Sequence, residues 1–287
     1  MTGIVIALLF AGVAGFLQLR PSEGASAASE WVTTDFARVR LVSATLGVGQ
    51  QTHLKLGIQI KLEPEWKTYW RHPGEAGIPP RFNWDGSENL NGVEVSWPAP
   101  SRYASYGLET IGYKDEIVLP VTATLARPGA VLNVGLALDY AVCRDICVPL
   151  SANLSLRVPE GVSSDTPFAD LIRRFSVRVP EKMAGDPQGP APRLNKLAVE
   201  TDGKDLKIRG VVSGFENVGE PDVFVEAGED FGFGPPEIIT GQEPGIVEFV
   251  IPVHRYRKNL VLAGRSAGVT VVAGGKAYEW QRALTSD

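Results

Sequence analysis

The residues of this sequence best suited to chemistry are its two cysteines, the only two in 287 residues. They lie in the run Tyr140-Ala141-Val142-Cys143-Arg144-Asp145-Ile146-Cys147-Val148-Pro149. Two thiols at this spacing can close a disulfide, exchange it with another thiol, or offer soft ligands to a metal. Arg144 beside Cys143 favours a thiolate and Asp145 opposes it, although both read equally well as solvated turn residues. Nothing else competes. Of the three histidines, His53 falls on the polar side of an alternating run, His72 stands near Trp70, and His254 belongs to the basic stretch His254-Arg255-Tyr256-Arg257-Lys258. The carboxylates Glu109, Glu116 and Asp139 show no pairing that acid–base catalysis would need. There are two methionines, one of them Met1, so no cluster of soft copper ligands accompanies the thiols.

The elements that must position the cysteines read as β-strands. Leu54, Leu56, Ile58, Ile60 and Leu62 alternate with His53, Lys55, Gly57, Gln59 and Lys61. Ile117 to Leu125 and Leu132 to Val142 alternate in the same way, the pattern of half-buried antiparallel strands. Before the cysteines the apolar positions are even-numbered; after them Leu150, Leu154, Leu156 and Val158 keep the same parity. Both cysteines are odd-numbered. If Arg144, Asp145 and Ile146 form a three-residue loop, Cys143 and Cys147 face each other across a hairpin, on the side away from the core. Opposed strand residues have Cβ atoms about 4.5–5.5 Å apart, wider than a relaxed bridge prefers, so a disulfide there is expected to exchange readily.

A purely structural bridge is the plain alternative. Closing a loop of about five residues stabilises by roughly 2 kcal/mol, against roughly 4 for about sixty residues. A chain this long also has core enough to fold without a staple. Spacing alone leaves redox exchange, stapling and metal binding all open, with exchange in front.

Beyond the hairpin, Ser164-Asp165-Thr166-Pro167 precedes Phe168 to Phe175 as a helix start and short helix. Asp186 to Arg193 is Pro-rich and reads as a linker. Alternation then returns at Val223 and Val225, at Val247 to Val253, and at Val269 and Val271, with Gly274-Gly275 as a hairpin turn. The expected fold is all-β: two β-sandwich domains joined by a short helix and Pro-rich linker. The expected boundaries are a signal peptide over 1–27, a redox sandwich over 34–160, helix and linker over 161–193, and a second sandwich over 194–285. The signal is read from the apolar run Ile4 to Leu17 and the small residues Ala25-Ser26-Ala27, without a preceding basic residue. It places the protein in the periplasm, or N-terminally anchored there if the signal is not cut. A formal net charge of -5 gives no basic face for nucleic acid.

Several segments together resemble the N-terminal periplasmic, alpha-type domain of the DsbD thiol:disulfide interchange family, above all its ScsB-like branch. They are Trp66-Lys-Thr-Tyr69-Trp70-Arg71-His72-Pro73-Gly74, Gly77-Ile-Pro-Pro80, Tyr106-Gly107, Tyr113 to Val121, and the cysteine hairpin itself. The resemblance spans about Thr34 to Val158. It implies an immunoglobulin-like first sandwich acting as a thiol–disulfide oxidoreductase, without a cofactor or metal. Electrons would come from a membrane-embedded thiol donor and pass to periplasmic thioredoxin-like clients. It favours Cys147 as the attacking sulfur and Cys143 as the resolving one, and makes Tyr69, Trp70, Arg71, Tyr106, Tyr140, Arg144 and Asp145 candidates to line the site. The ScsB branch is associated with copper tolerance, which repair of copper-damaged thiols explains without a metal site. The best-known members have a longer spacer between their cysteines and carry their transmembrane and thioredoxin-like parts in the same chain. This chain, ending at Asp287, is expected to take electrons from a separate protein.

Overall fold

Period-2 alternation becomes strand wherever it was strong. A computed structural model describes residues 26–75, 77–105, 108–183, 191–202, 205–215, 218–239, 244–257 and 260–286. The signal segment, most of the Pro-rich linker and Tyr106 thus lie outside the described residues. The first half of the chain forms β1 (Val32–Thr33), β2 (Ala37–Ser43), β3 (His53–Leu62), β4 (Lys67–Gly74), β5 (Arg81–Asn83), β6 (Leu90–Val95), β7 (Ser101–Ser105), β8 (Leu108–Lys114), β9 (Glu116–Leu125), β10 (Leu132–Cys143) and β11 (Cys147–Val158).

These strands make two facing sheets, an immunoglobulin-like sandwich. One sheet runs β1-β2-β3-β9-β6; the other runs β11-β10-β4-β8-β7, with β5 also on β10. The inward residues are those the alternation marks: Leu54, Leu56, Ile58 and Ile60 from β3, Ile117, Leu119 and Val121 from β9, and Leu132, Val134, Leu136 and Leu138 from β10. Burying side chains of this size contributes about 1.5–3 kcal/mol each, which is why parity fixes the register.

The helix α1 (Phe168–Ser176) forms where expected. Its start is held by Thr166, whose Oγ1 accepts from the Phe168 N–H and donates to the Ser43 carbonyl. Rather than merely spanning a gap, it buries Leu171, Ile172 and Phe175 in the first core.

The second half forms β12 (Glu181–Met183), β13 (Arg193–Asp202), β14 (Asp205–Ser213), β15 (Asp222–Glu226), β16 (Phe231–Phe233), β17 (Glu237–Ile239), β18 (Ile246–Arg255), β19 (Ser266–Ala273), β20 (Lys276–Ala283) and β21 (Thr285–Ser286). They again make two sheets, β12-β20-β19-β15 and β16-β18-β14-β13-β21, with β17 on β18. Val223, Val225, Phe249, Ile251, Val269 and Val271 fill their core. Gly274 and Gly275, at φ 58° and 77°, turn β19 into β20. Two successive positive φ values are what a tight hairpin turn requires and what glycine supplies without a Cβ penalty.

The two sandwiches touch through named side chains. Phe224 on β15 leaves its own core and joins the first, its ring 5.7 Å from that of Trp70. Arg102 on β7 bonds Asp222 and the Val223 carbonyl across the junction while also holding Glu109.

Candidate functional site

Strands β10 and β11 pair without a slip from Leu132↔Val158 to Cys143↔Cys147. The loop is Arg144, Asp145 and Ile146, all exposed, closed by the Arg144 N–H donating to the Ile146 carbonyl at 3.2 Å. Parity therefore does what it must: a three-residue loop between odd-numbered ends sets the two cysteines opposite each other, with Cα atoms 4.1 Å apart, and they are bridged. Cys143 clusters with Ala141 and Tyr69, apart from the two large cores.

The two sulfurs sit in different surroundings. Cys143 is 6% exposed, whereas Cys147, at the start of β11, is exposed. What buries Cys143 is β4, its neighbour on the other side. Val142↔Thr68 and Cys143↔Lys67 are paired, and the Thr68 hydroxyl donates to the Ala141 carbonyl at 2.9 Å. Since opposed residues share a face, Lys67 and Tyr69 lie on the cysteine face. The Tyr69 hydroxyl is 3.0 Å from the Cys147 sulfur. A bridged sulfur carries no hydrogen, so the hydroxyl is the donor. Burial pushes the Tyr69 pKa up, which keeps that proton on the phenol. The same donor would stabilise a Cys147 thiolate once the bridge opens, since hydrogen bonding to the charged form favours it.

The Tyr69 ring is held from outside by the segment after β4. A Cβ on Gly77 would lie 2.7 Å from Tyr69 ring carbons and 2.4 Å from the Pro73 Cβ. Only glycine lets the chain lie this close to the ring, a physical reason for Gly77 ahead of Ile78-Pro79-Pro80.

The remaining predicted residues divide. Trp70 is fully buried in the first core and does not reach the cysteines; neither does Tyr140, whose even parity turns it inward among Leu136 and Leu138. Burial raises the Tyr140 pKa to about 12, so it stays a neutral core phenol. Arg71 turns to the second sandwich, where it binds Glu226 and Glu279 at 2.6 and 2.5 Å. Arg144 is beside the bridge but is engaged by Asp145 at 3.0 Å, Glu65 at 3.8 Å and the Trp66 ring at 5.6 Å. These exposed ion pairs contribute little to stability, and they offset the cation that would bias a neighbouring thiol. His53 is exposed on β3, and His254 is exposed on β18, 3.9 Å from Glu75. His72 packs against Phe233 of the second sandwich at 5.8 Å, and burial lowers its pKa. Among the described residues no group of three or more His, Cys, Asp or Glu side chains is arranged to hold a metal.

Lys67 was not singled out by sequence reasoning. It pairs with Cys143 and is 5% exposed, and burial with Lys114 nearby holds its ammonium below the usual lysine value. Its place opposite Cys143 depends on the β4–β10 register, which joins strands more than seventy positions apart and leaves no local pattern.

The family described as the N-terminal domain of thiol:disulfide interchange protein DsbD matches residues 38–159, the whole hairpin and β4 included. A second family, described as a domain of unknown function (DUF8393), matches residues 178–287. The solved N-terminal periplasmic domain of ScsB from Proteus mirabilis is similar in fold, with a TM-score of 0.72 at 20% identity. The likeness covers 91% of this chain and 99% of that one, so both sandwiches are included. No curated protein matches the chain. The DsbD-type segment thus carries a cysteine pair bridged at the tip of a hairpin, with one sulfur buried and the other exposed.

Proposed function

We propose that this protein is a periplasmic thiol–disulfide oxidoreductase that relays electrons through Cys143 and Cys147. The observation that carries this reading is the asymmetry of the bridge: Cys147 is exposed and hydrogen-bonded by Tyr69, while Cys143 is buried behind it. A partner can reach only one sulfur easily, and that sulfur has a donor ready for its thiolate. The match of residues 38–159 to the DsbD N-terminal family supports it further.

The cycle balances in two halves. A membrane-embedded dithiol donor attacks the Cys147 sulfur, the S–S bond breaks and Cys143 leaves as a thiolate. The donor's second thiol then displaces Cys147, so the donor becomes a disulfide and two electrons and two protons stay on this chain. The Cys147 thiolate next attacks the disulfide of a thioredoxin-like client. Cys143 attacks the resulting mixed disulfide at Cys147, restoring the bridge and releasing the client as a dithiol. Holding Cys143 directly opposite Cys147 gives this last step a high effective concentration. A link to copper tolerance follows on this reading from repair of oxidised thiols, with no bound metal. The expected site is periplasmic, an oxidising compartment where such bridges persist. No helix among the described residues is long and apolar enough to cross a membrane.

The test is trapping. Without Cys143 the mixed disulfide at Cys147 cannot resolve, so Cys143→Ser, quenched in acid and alkylated, is expected to show a dithiothreitol-sensitive adduct on non-reducing gels. Cys147→Ser is expected to trap poorly. If neither variant forms an adduct with a thioredoxin-like protein or membrane carrier, the relay is wrong; if only Cys147→Ser does, the order of the sulfurs is wrong.

A further inference from the structure

Strand β4 has two halves. Lys67, Thr68 and Tyr69 lie in a regular ladder with Lys114, Tyr113 and Gly112 of β8. The ladder then breaks and resumes only at Gly74↔Thr110. Trp70, Arg71, His72 and Pro73 therefore stand opposite the single residue Ile111. A bulge of this kind gives up neighbouring ladder bonds and re-aims its side chains. Here three of the four side chains meet residues of the second sandwich. Trp70 meets Phe224, and His72 meets Phe233. Arg71 lies over the Trp70 ring, 4.4 Å from its centroid, and its guanidinium takes Glu226 through both Nε and Nη2 and Glu279 through Nη2.

We propose that the second sandwich braces the redox strand, with Arg71 as the positioning residue that keeps the Tyr69 hydroxyl on Cys147. The proposal rests on the redox reading of the Tyr69–Cys147 contact and gives the second domain a task in it. Tyr69 is the last ladder residue before the bulge, so the bulge's anchorage sets where its ring sits. On its other side the ring lies close against Gly77, where an added Cβ would come within 2.7 Å of ring carbons. The anchorage is stiff. Arg71, Glu226 and Glu279 have side chains only 25%, 23% and 12% exposed. Burial alone would lower the Arg71 pKa, but bonding to Glu226 and then Glu279 lifts it above the ordinary arginine value, so the pair of carboxylates is never without its cation. A hydrogen bond at 3.0 Å is lost within a shift of about 1 Å, so the hydroxyl reports on any loosening of this anchor.

The experiment uses the full chain carrying Cys143→Ser, whose single thiol, Cys147, displaces iodide from iodoacetamide as the thiolate. The alkylation rate against pH gives the Cys147 pKa without any partner. Removing the second-domain carboxylates (Glu226→Gln with Glu279→Gln) or the guanidinium (Arg71→Met) is expected to raise that pKa and slow alkylation at pH 7 roughly threefold to tenfold. Arg71→Lys is expected to recover part of the rate. On a Tyr69→Phe background the same changes are expected to have almost no effect, because the hydroxyl through which they act is gone. Circular dichroism separates these effects from unfolding, and if Arg71→Met does not fold, the paired Gln variant carries the same comparison. An unchanged pH profile, or equal slowing with and without the Tyr69 hydroxyl, would overturn the proposal. Trapping of partners reads the relay separately, so either idea can fail while the other stands.

Discussion

Two hairpins in this chain close long antiparallel strands, and they close them differently. The β19–β20 hairpin turns through Gly274 and Gly275 at positive φ, with Ala273 opposite Lys276 and no covalent help. The β10–β11 hairpin turns through three exposed residues and carries a disulfide across its last pair. The ladder below the cysteines is an unbroken register in which every second pair, from Leu132↔Val158 to Leu138↔Ala152, is apolar and faces a full core. The hairpin is therefore expected to form with the bridge open. The bridge closes a short loop, which contributes little stability, at an exposed hairpin tip.

Four changes to the chain separate the two hairpins. The largest effect is expected from Cys147→Ser, which should bring exchange with a small aromatic disulfide down to background. Gly275→Val in the other hairpin should leave that exchange within about twofold, since distant sites act independently. Stopped-flow absorbance checks both. Next, Gly275→Val should destabilise the chain by roughly 1–3 kcal/mol in thermal unfolding, the cost of a β-branched residue at positive φ. A Cβ at Gly275 meets nothing within 4 Å, so that cost is conformational alone. Third, reducing the Cys143–Cys147 bridge with dithiothreitol should cost no more than about 2 kcal/mol and leave unfolding cooperative. Loss of the cooperative transition on reduction would make the bridge a staple. The smallest effect is expected from Tyr69→Phe, which removes one donor and should raise the Cys147 pKa by about half to one unit, seen in the pH dependence of alkylation. The sign follows from the thiolate losing a bond that the thiol needs less.

Much of this was legible in sequence because a strand's period is short and its parity survives a turn of known length. The parity of Leu132 to Val142 and of Leu150 to Val158 was enough to place Cys143 opposite Cys147 and off the core, and Gly274-Gly275 announced its turn. The same parity placed Tyr140 inward, and the structure follows parity rather than the resemblance that drew Tyr140 into the site. Trp70 is similar: a large aromatic beside the site residue Tyr69 points the other way because neighbours on a strand face opposite sides. What parity could not supply was anything set by a distant strand. The burial of Cys143 comes from β4, the fit of Gly77 on Tyr69 from the segment after it, and the partners of Arg71 from β15 and β20. Those contacts join positions between 8 and 208 apart and have no local signature.

A working redox couple and a structural staple differ in how readily the Cys143–Cys147 bridge opens in the folded protein. Equilibrating the folded protein in glutathione buffers, then trapping with acid and counting alkylated thiols by mass, tests this most directly. A working couple is expected to show measurable oxidised and reduced forms of the native fold, with a potential in the range of known oxidoreductases, about −120 to −270 mV. A bridge that stays closed below about −300 mV, or that opens only as the sandwich unfolds, would contradict it.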